Sequence, residues 1–310
     1  MKHTIHGRSH HWRWDNSLSP VVTVEPGDTI EVEVLDSGGG QIGPGSTAAD
    51  AGALDFGRVN PVTGPIAIHG AEPGDAIRLT LLSVAPCGWG WSAIIPGFGL
   101  LADDFPEPYL HLWSYDTNGL RPVHYARGAQ VPLRPMVGSI GLAPARPGAH
   151  DILPPRRVGG TMNIRDLGAG AQLDLPVEVA GGLLSLGDGH AAQGDGEVCG
   201  TGLETALTVA ATVDLVKRAD LPGPRFVTVG PPAQPVDGKG YWATTGIGPS
   251  LMTGAIDATR AMVDLLMREH GTSAEEAYLL CSLAAELRIS EIVDRPNWVV
   301  CQYFPRMVFE

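Results

Sequence analysis

The chain has 310 residues, enough to bury a substantial core as one large domain or two closely packed ones, and more than a bare binding module needs. Its formal charge of −13 opposes nucleic acid, whose recognition needs basic surface to neutralise phosphates, so no RNA or DNA partner is expected. Apolar residues are dispersed, and no window approaches the ~20 uninterrupted apolar residues of a membrane span.

The opening MKHTIHGRSHHWRWD carries charges and imidazoles where a secretory signal has an apolar centre, so the expectations are no membrane partner and a cytoplasmic home. Glycine (41) and proline (26) recur along the chain instead of collecting in one linker, which reads as many tight turns between short strands. Three stretches share one rhythm: PGDTIEVEVLD at 26–36, PGDAIRLTLLSV at 73–84 and AGAQLDLPVEV at 169–179. Each is a turn followed by alternating apolar and polar residues, the period of a strand buried on one face. In the first, Ile30, Val32 and Val34 point one way while Thr29, Glu31 and Glu33 point the other. LTVAATVDLVKR at 207–218 alternates in the same way.

The period becomes helical only near the C terminus. Residues 250–271 place Ile256, Met262, Leu265 and Leu266 near one face, with Gly271 as the stop. Ser273 and Glu276 have the spacing of a capping box and announce a second helix running through EEAYLLCSLAAELR. The final NWVVCQYFPRMVF reads as strand. The expected fold is mainly β, a sandwich-like body of turn-rich strands with a C-terminal portion carrying two helices. With no flexible linker, residues 1–310 are expected to form one compact unit, β-rich over 1–220 and helix-containing over 221–310.

Chemistry concentrates in GDGHAAQGDGEVCGTGLE at 187–204. Asp188 and His190 are two apart, as are Asp195 and Glu197, so on extended backbone each pair projects from one face. The interspersed glycines remove side-chain bulk and let backbone approach a ligand. Imidazole with carboxylates suits Zn²⁺, and carboxylates with carbonyl oxygens suit Ca²⁺ or Mg²⁺. A hydrogen-bonded histidine in a turn accounts for a lone GDGH, whereas two adjacent clusters point to a divalent metal site.

Along nearly its whole length the chain resembles the acetamidase/formamidase family. The resemblance is carried by HWRWDNSLSPVVTVEPGD at 11–28, NPVTGPIAIHGAEPGD at 60–75, GWSAIIPGFGLLADDF at 90–105, MVGSIGLAPARPG at 136–148, GGTMNIRDL at 159–167, the 187–204 motif and EEAYLLCSLAAELRISEIVD at 275–294. It implies a β-sandwich-like body with α/β elements, a homodimer or larger homo-oligomer, and hydrolysis of a small linear amide such as formamide or acetamide to a carboxylate and ammonia. It also implies a bound divalent metal, Zn or Ca, carried here onto Asp36, Asp188, His190, Asp195 and Glu197; within that set Asp36, Asp188, His190 and Asp195 are read as metal ligands and Glu197 and His190 as catalytic residues. An amide carbonyl is a poor electrophile and an amine a poor leaving group, so a metal and a proton-carrying carboxylate, for which Glu197 is the choice, answer the chemical need. One departure stands out: GGTMNIRDL has Thr161 and Asn163 where the family often shows GGNMD, placing an amide where a carboxylate is common.

Further candidates surround this set. His11 and Asp15, beside His10, form a polar cluster suited to the entrance of a substrate site, and Trp89 and Trp91, with Phe98, suit an apolar pocket whose bulky walls restrict substrates to short acyl groups. His69 reads as structural. Cys199 offers a rival nucleophile, weakened by the scarcity of lysine nearby, the next being Lys217 and Lys239. Ser139 in VGSIG lacks the first glycine of a nucleophile elbow. The four cysteines, Cys87, Cys199, Cys281 and Cys301, form no CxxC pair and are expected to be free thiols. The alternative to an enzyme is a cation-stabilised β-sandwich that binds a small molecule or carbohydrate without turnover.

Overall fold

The computed structural model describes residues 1–228, 239–293 and 295–309. Residues 229–238, and Asp294 at the end of the family-like block 275–294, lie outside the described residues. Side-chain alternation builds the first sheet. In Asp28–Val34, Ile30, Val32 and Val34 are buried while Glu33 is exposed and Thr29 and Glu31 are partly covered. This strand pairs in parallel with Lys2–Ile5 and antiparallel with Leu207–Val216. The sheet continues through Ala76–Pro86 and Gln172–Pro176 to Arg225–Val227, six strands in all.

The second sheet has nine strands, with Leu184–Ala192 near its centre. That strand pairs with Met136–Gly141, Val62–Ile68 and Leu203–Glu204, and Trp89–Ile94 and Tyr109–Ser114 extend the sheet beyond Leu203–Glu204. Ile30, Val32, Leu79 and Val209 of the first sheet meet Ile140, Leu184 and Leu186 of the second in one apolar cluster. Each such side chain, fully buried, contributes ~1.5–3 kcal/mol against exposure, which makes the contact of the two sheets the main stabilising layer. The protein is mainly β with a β-sandwich-like body. Leu184–Ala192 is buried at all nine positions, so its Asp188 and His190 must find polar partners inside the protein.

The C-terminal portion carries a three-stranded sheet of Tyr241–Gly248, Trp298–Pro305 and Glu286–Glu291. The helix Leu251–His270 starts at Ser250, whose Oγ accepts from the Thr253 N–H, and ends at Gly271. Ser273 and Glu276 form the expected capping box, but the helix they open, Ala274–Ala284, stops short of the predicted ELR. Those residues begin strand Glu286–Glu291 instead, because tertiary pairing with Trp298–Pro305 overrides local helical preference. The last predicted strand closes at Pro305, and Arg306–Val308 is a 3₁₀ turn. Among the described residues no helix is long and apolar enough to cross a membrane.

A second apolar cluster draws Ile94, Val198 and Leu203 from the β-rich part together with Met262, Tyr278 and Phe304 from the helix-bearing part. Helix Ala274–Ala284 grips the loop after Leu184–Ala192 through hydrogen bonds. Ser282 Oγ donates to the Thr201 carbonyl at 2.8 Å and accepts from the Cys199 N–H at 3.2 Å, while the Ser282 carbonyl accepts from Gly194 N–H at 2.7 Å. The Tyr278 hydroxyl donates to the Val198 carbonyl and accepts from the Leu101 N–H. Tyr278→Phe leaves both buried backbone groups without that partner and is expected to cost about 1–3 kcal/mol. A urea unfolding midpoint equal to that of the unmodified protein would show that the helix does not hold the loop.

Candidate active site

Three strands bring the central residues together. Leu203–Glu204 lies between Leu184–Ala192 and Trp89–Ile94, with His190 directly opposite Glu204 and Glu204 opposite Trp91. His190 Nε2 is 3.0 Å from Glu204 Oε1, 3.3 Å from Asp188 Oδ1 and 3.8 Å from Glu197 Oε1. Asp188, His190 and Glu204 are all buried, and one ligand atom from each lies within 4.8 Å of the others.

The ring of His190 is oriented from behind. Its Nδ1 lies 2.8 Å from Gln193 Oε1, and Gln193 Nε2 donates to the Asn163 carbonyl at 2.8 Å. With the Gln193 amide nitrogen already donating, its oxygen accepts from Nδ1–H, so Nε2 faces the carboxylates. Asp188 has φ +59°, a left-handed conformation that a non-glycine residue adopts only when its surroundings demand it. Gly138 opposite it provides the room, since a Cβ there would fall 2.4 Å from Asn163 Oδ1 and 2.6 Å from Asp188 Oδ2.

Charge is concentrated and poorly neutralised. Burial works against a charged His190 ring, and the Glu204 and Asp188 carboxylates more than reverse it, so the ring holds its proton well above the usual imidazole range. Burial pushes the Glu197 carboxyl up to about 8, with Glu204 and Asp188 adding and the His190 ring and Asn163 amide opposing. Asp188 Oδ2, Glu204 Oε2 and Asn163 Oδ1 are buried without a hydrogen-bond partner. Orphaned polar atoms of this kind cost about 1–3 kcal/mol each, so several in one place call for a ligand. The donor set of two carboxylates and one imidazole fits a divalent cation, which would take the place of the protons held there.

A cavity of about 240 Å³ opens on this cluster, with Asp188, Glu197, Glu204 and Asn163 at its polar end. Trp91, Ile95 and Phe98 line it, as do Leu54, Phe56 and Leu153. Asp36 is buried beside it, its Oδ1 accepting from Trp91 Nε1 at 3.2 Å and Gly38 N–H at 2.8 Å. Burial, with Glu204 adding, raises the Asp36 carboxyl to about 6.

The other residues singled out in the sequence lie elsewhere. Asp195 and Glu197 do not share a strand face: Glu197 sits at φ +43° in a turn, and Asp195 Oδ1 points to Arg165 Nε at 3.2 Å, outside the cavity. His11 Nδ1 faces the Arg13 carbonyl and Nε2 faces Ser185 Oγ at 2.9 Å, while Asp15 accepts from Ser17 N–H and Oγ; neither lines the cavity. Trp89 shares a cluster with Trp91 but not the cavity wall. His69 pairs with Glu25 on the surface. Cys199 is fully buried with its thiol pushed up by burial, and Lys217 is paired with Asp75, so no activated thiolate stands at the cavity. Ser139 Oγ is 2.6 Å from Thr161 Oγ1. Glu204, the last residue of the 187–204 motif, received no role from sequence spacing. Only the pairing of its strand puts it opposite His190.

The sequence model of the Acetamidase/Formamidase family matches residues 2–148 and 145–310. The chain belongs to the acetamidase/formamidase family. It therefore sits among enzymes that act on carbon–nitrogen bonds other than peptide bonds. The formamidase of Methylophilus methylotrophus is 29% identical, the match covering 97% of this chain and 89% of that protein. A gamma lactamase from Delftia acidovorans superposes with a TM-score of 0.90 at 26% identity, covering 97% of this chain and 90% of the other. An acetamidase from Bacillus halodurans gives a TM-score of 0.68 at 31% identity, covering 99% and 98%.

Titration of chelator-treated protein with Zn²⁺ or Ca²⁺ is expected to raise its melting temperature, with about 2.7 kcal/mol of stabilisation when the ion is at 100 times its Kd. Asp188→Asn and Glu204→Gln should abolish that shift and Asp195→Asn should retain it. A shift lost only in Asp195→Asn would place the cation elsewhere.

Proposed function

We propose that this chain hydrolyses small linear amides, the class that includes formamide and acetamide, to a carboxylate and ammonia at the cavity end formed by Asp188, His190, Glu197 and Glu204. The observation that carries this reading is a largely covered carboxylate, Glu197, beside a convergent but unsatisfied set of metal-type ligands, with Asp188, Glu197 and Glu204 lining one cavity. Membership of an amidase family supports it.

In this reading Asp188, His190 and Glu204 hold a divalent cation, Zn²⁺ or Ca²⁺. When bound, such an ion polarises the amide carbonyl and makes water more acidic. Gln193 keeps the His190 ring turned so that Nε2 serves the site. Asn163 Nδ2 donates to Glu197 Oε2, which fixes that carboxylate and leaves Oε1 on the His190 side. Glu197 takes a proton from the attacking water and passes it to the departing nitrogen. Its proton affinity, raised by burial toward neutral pH, suits a group that must both accept and release a proton there. Asn163, standing where the family often has a carboxylate, contributes a donor to Glu197 in place of a second negative charge. The same reading includes a homo-oligomer in the cytoplasm.

Ammonia release from metal-loaded protein with formamide, acetamide and propionamide is the direct test. Glu197→Gln is expected to lower kcat by about 10²- to 10⁴-fold while metal content is retained. Full activity in that variant would remove Glu197 as the proton carrier, and no ammonia from any amide would refute hydrolysis itself.

A further inference from the structure

Resting on the amide-hydrolysis reading, one feature of the cavity goes beyond it. Beside the polar Asp188, Glu197, Glu204 and Asn163, and with Thr161 and Thr201 among its neutral polar groups, the cavity presents an apolar wall that includes Leu54, Phe56, Ile95, Phe98 and Leu153. Formamide has no carbon, and acetamide a single methyl, to place against that wall.

Size points the same way. An apolar cavity of about 150 Å³ is enough to hold a benzene ring, so one of about 240 Å³ takes on the order of eight heavy atoms. The carboxamide uses three of them, leaving room for an acyl chain of about five further carbons. Of the aromatic residues expected to wall the pocket, Trp91 and Phe98 line it while Trp89 stands outside, and Trp91 turns its indole N–H to Asp36.

The apolar wall also lies close to the reacting end. The Phe98 ring packs on the backbone of Gly200, where a Cβ would fall 2.5 Å from a ring carbon. The Gly200 N–H in turn donates to the Glu197 carbonyl at 2.8 Å, so the ring rests on the turn that presents the proton carrier. Phe56 meets Phe98 edge-on at 5.4 Å and is 41% exposed, which sets this aromatic pair at the solvent side of the cavity.

We infer that the site selects amides with an apolar acyl group of about four to six carbons over formamide and acetamide. The acyl chain lies against Phe98, Ile95 and Leu54 with its carboxamide at Glu197. Chain length is then read as burial of methylenes, each worth about a four-fold gain while the cavity fills.

The test compares kcat/KM for formamide, acetamide, butyramide and hexanamide in the metal-loaded full chain, with calorimetric binding of acetamide and hexanamide measured in parallel. The expected result is a rise of about four-fold per methylene, so that hexanamide exceeds acetamide by roughly 10²-fold, and a smaller hexanamide-to-acetamide ratio in Phe98→Ala that Phe98→Leu largely restores. A melting temperature for each variant keeps loss of fold apart from loss of selectivity. A flat or falling series overturns the acyl preference and leaves amide hydrolysis standing. Tighter binding of hexanamide without turnover of any amide supports the preference and defeats the hydrolytic reading. Equal binding without turnover defeats both.

Discussion

The structure turns on one arrangement: His190 lies inside a fully buried strand with its Nε2 between the carboxylates of Asp188 and Glu204. Burying an imidazole and two carboxylates is costly unless each group is satisfied. Gln193 satisfies the far side of the ring, and the near side is left with unpartnered atoms. Much of the surrounding architecture holds these groups in place despite that cost: a left-handed Asp188, a side-chain-free Gly138 and a two-residue strand carrying Glu204.

Division of labour follows from this. The sandwich supplies rigid strands for the three clustered ligands, and the loop between Leu184–Ala192 and Leu203–Glu204 supplies Glu197. A loop residue would ordinarily be less well placed than a strand residue. Here the C-terminal helix compensates, with Tyr278 and Ser282 binding the loop backbone at Val198, Cys199 and Thr201. The helix-bearing portion thereby contributes to the site without placing a side chain among the clustered ligands.

The similarities to known proteins fit an enzyme of the acetamidase/formamidase family. The chain is covered almost end to end by formamidase and acetamidase relatives, and it superposes closely on a gamma lactamase. Within that common fold, the hydrophobic volume above Glu197 is set by side chains on three separate stretches, Leu54–Phe56, Ile95–Phe98 and Leu153.

Much was legible in the sequence itself. Period-two alternation placed Asp28–Val34, Ala76–Pro86, Gln172–Pro176 and Leu207–Val216, helical period with a glycine stop placed Leu251–His270, and a capping box placed the start of Ala274–Ala284, because these depend on neighbours a few residues away. The approach of Asp188 to His190 was equally local. Tertiary structure alone decided that Glu204 completes their cluster while Asp195 turns to Arg165, that His11 and Asp15 stay out of the cavity, and that the capped helix gives way to strand at Glu286. Each of these outcomes is a pairing between segments far apart in the chain, and an i, i+2 spacing carries no information about what stands opposite.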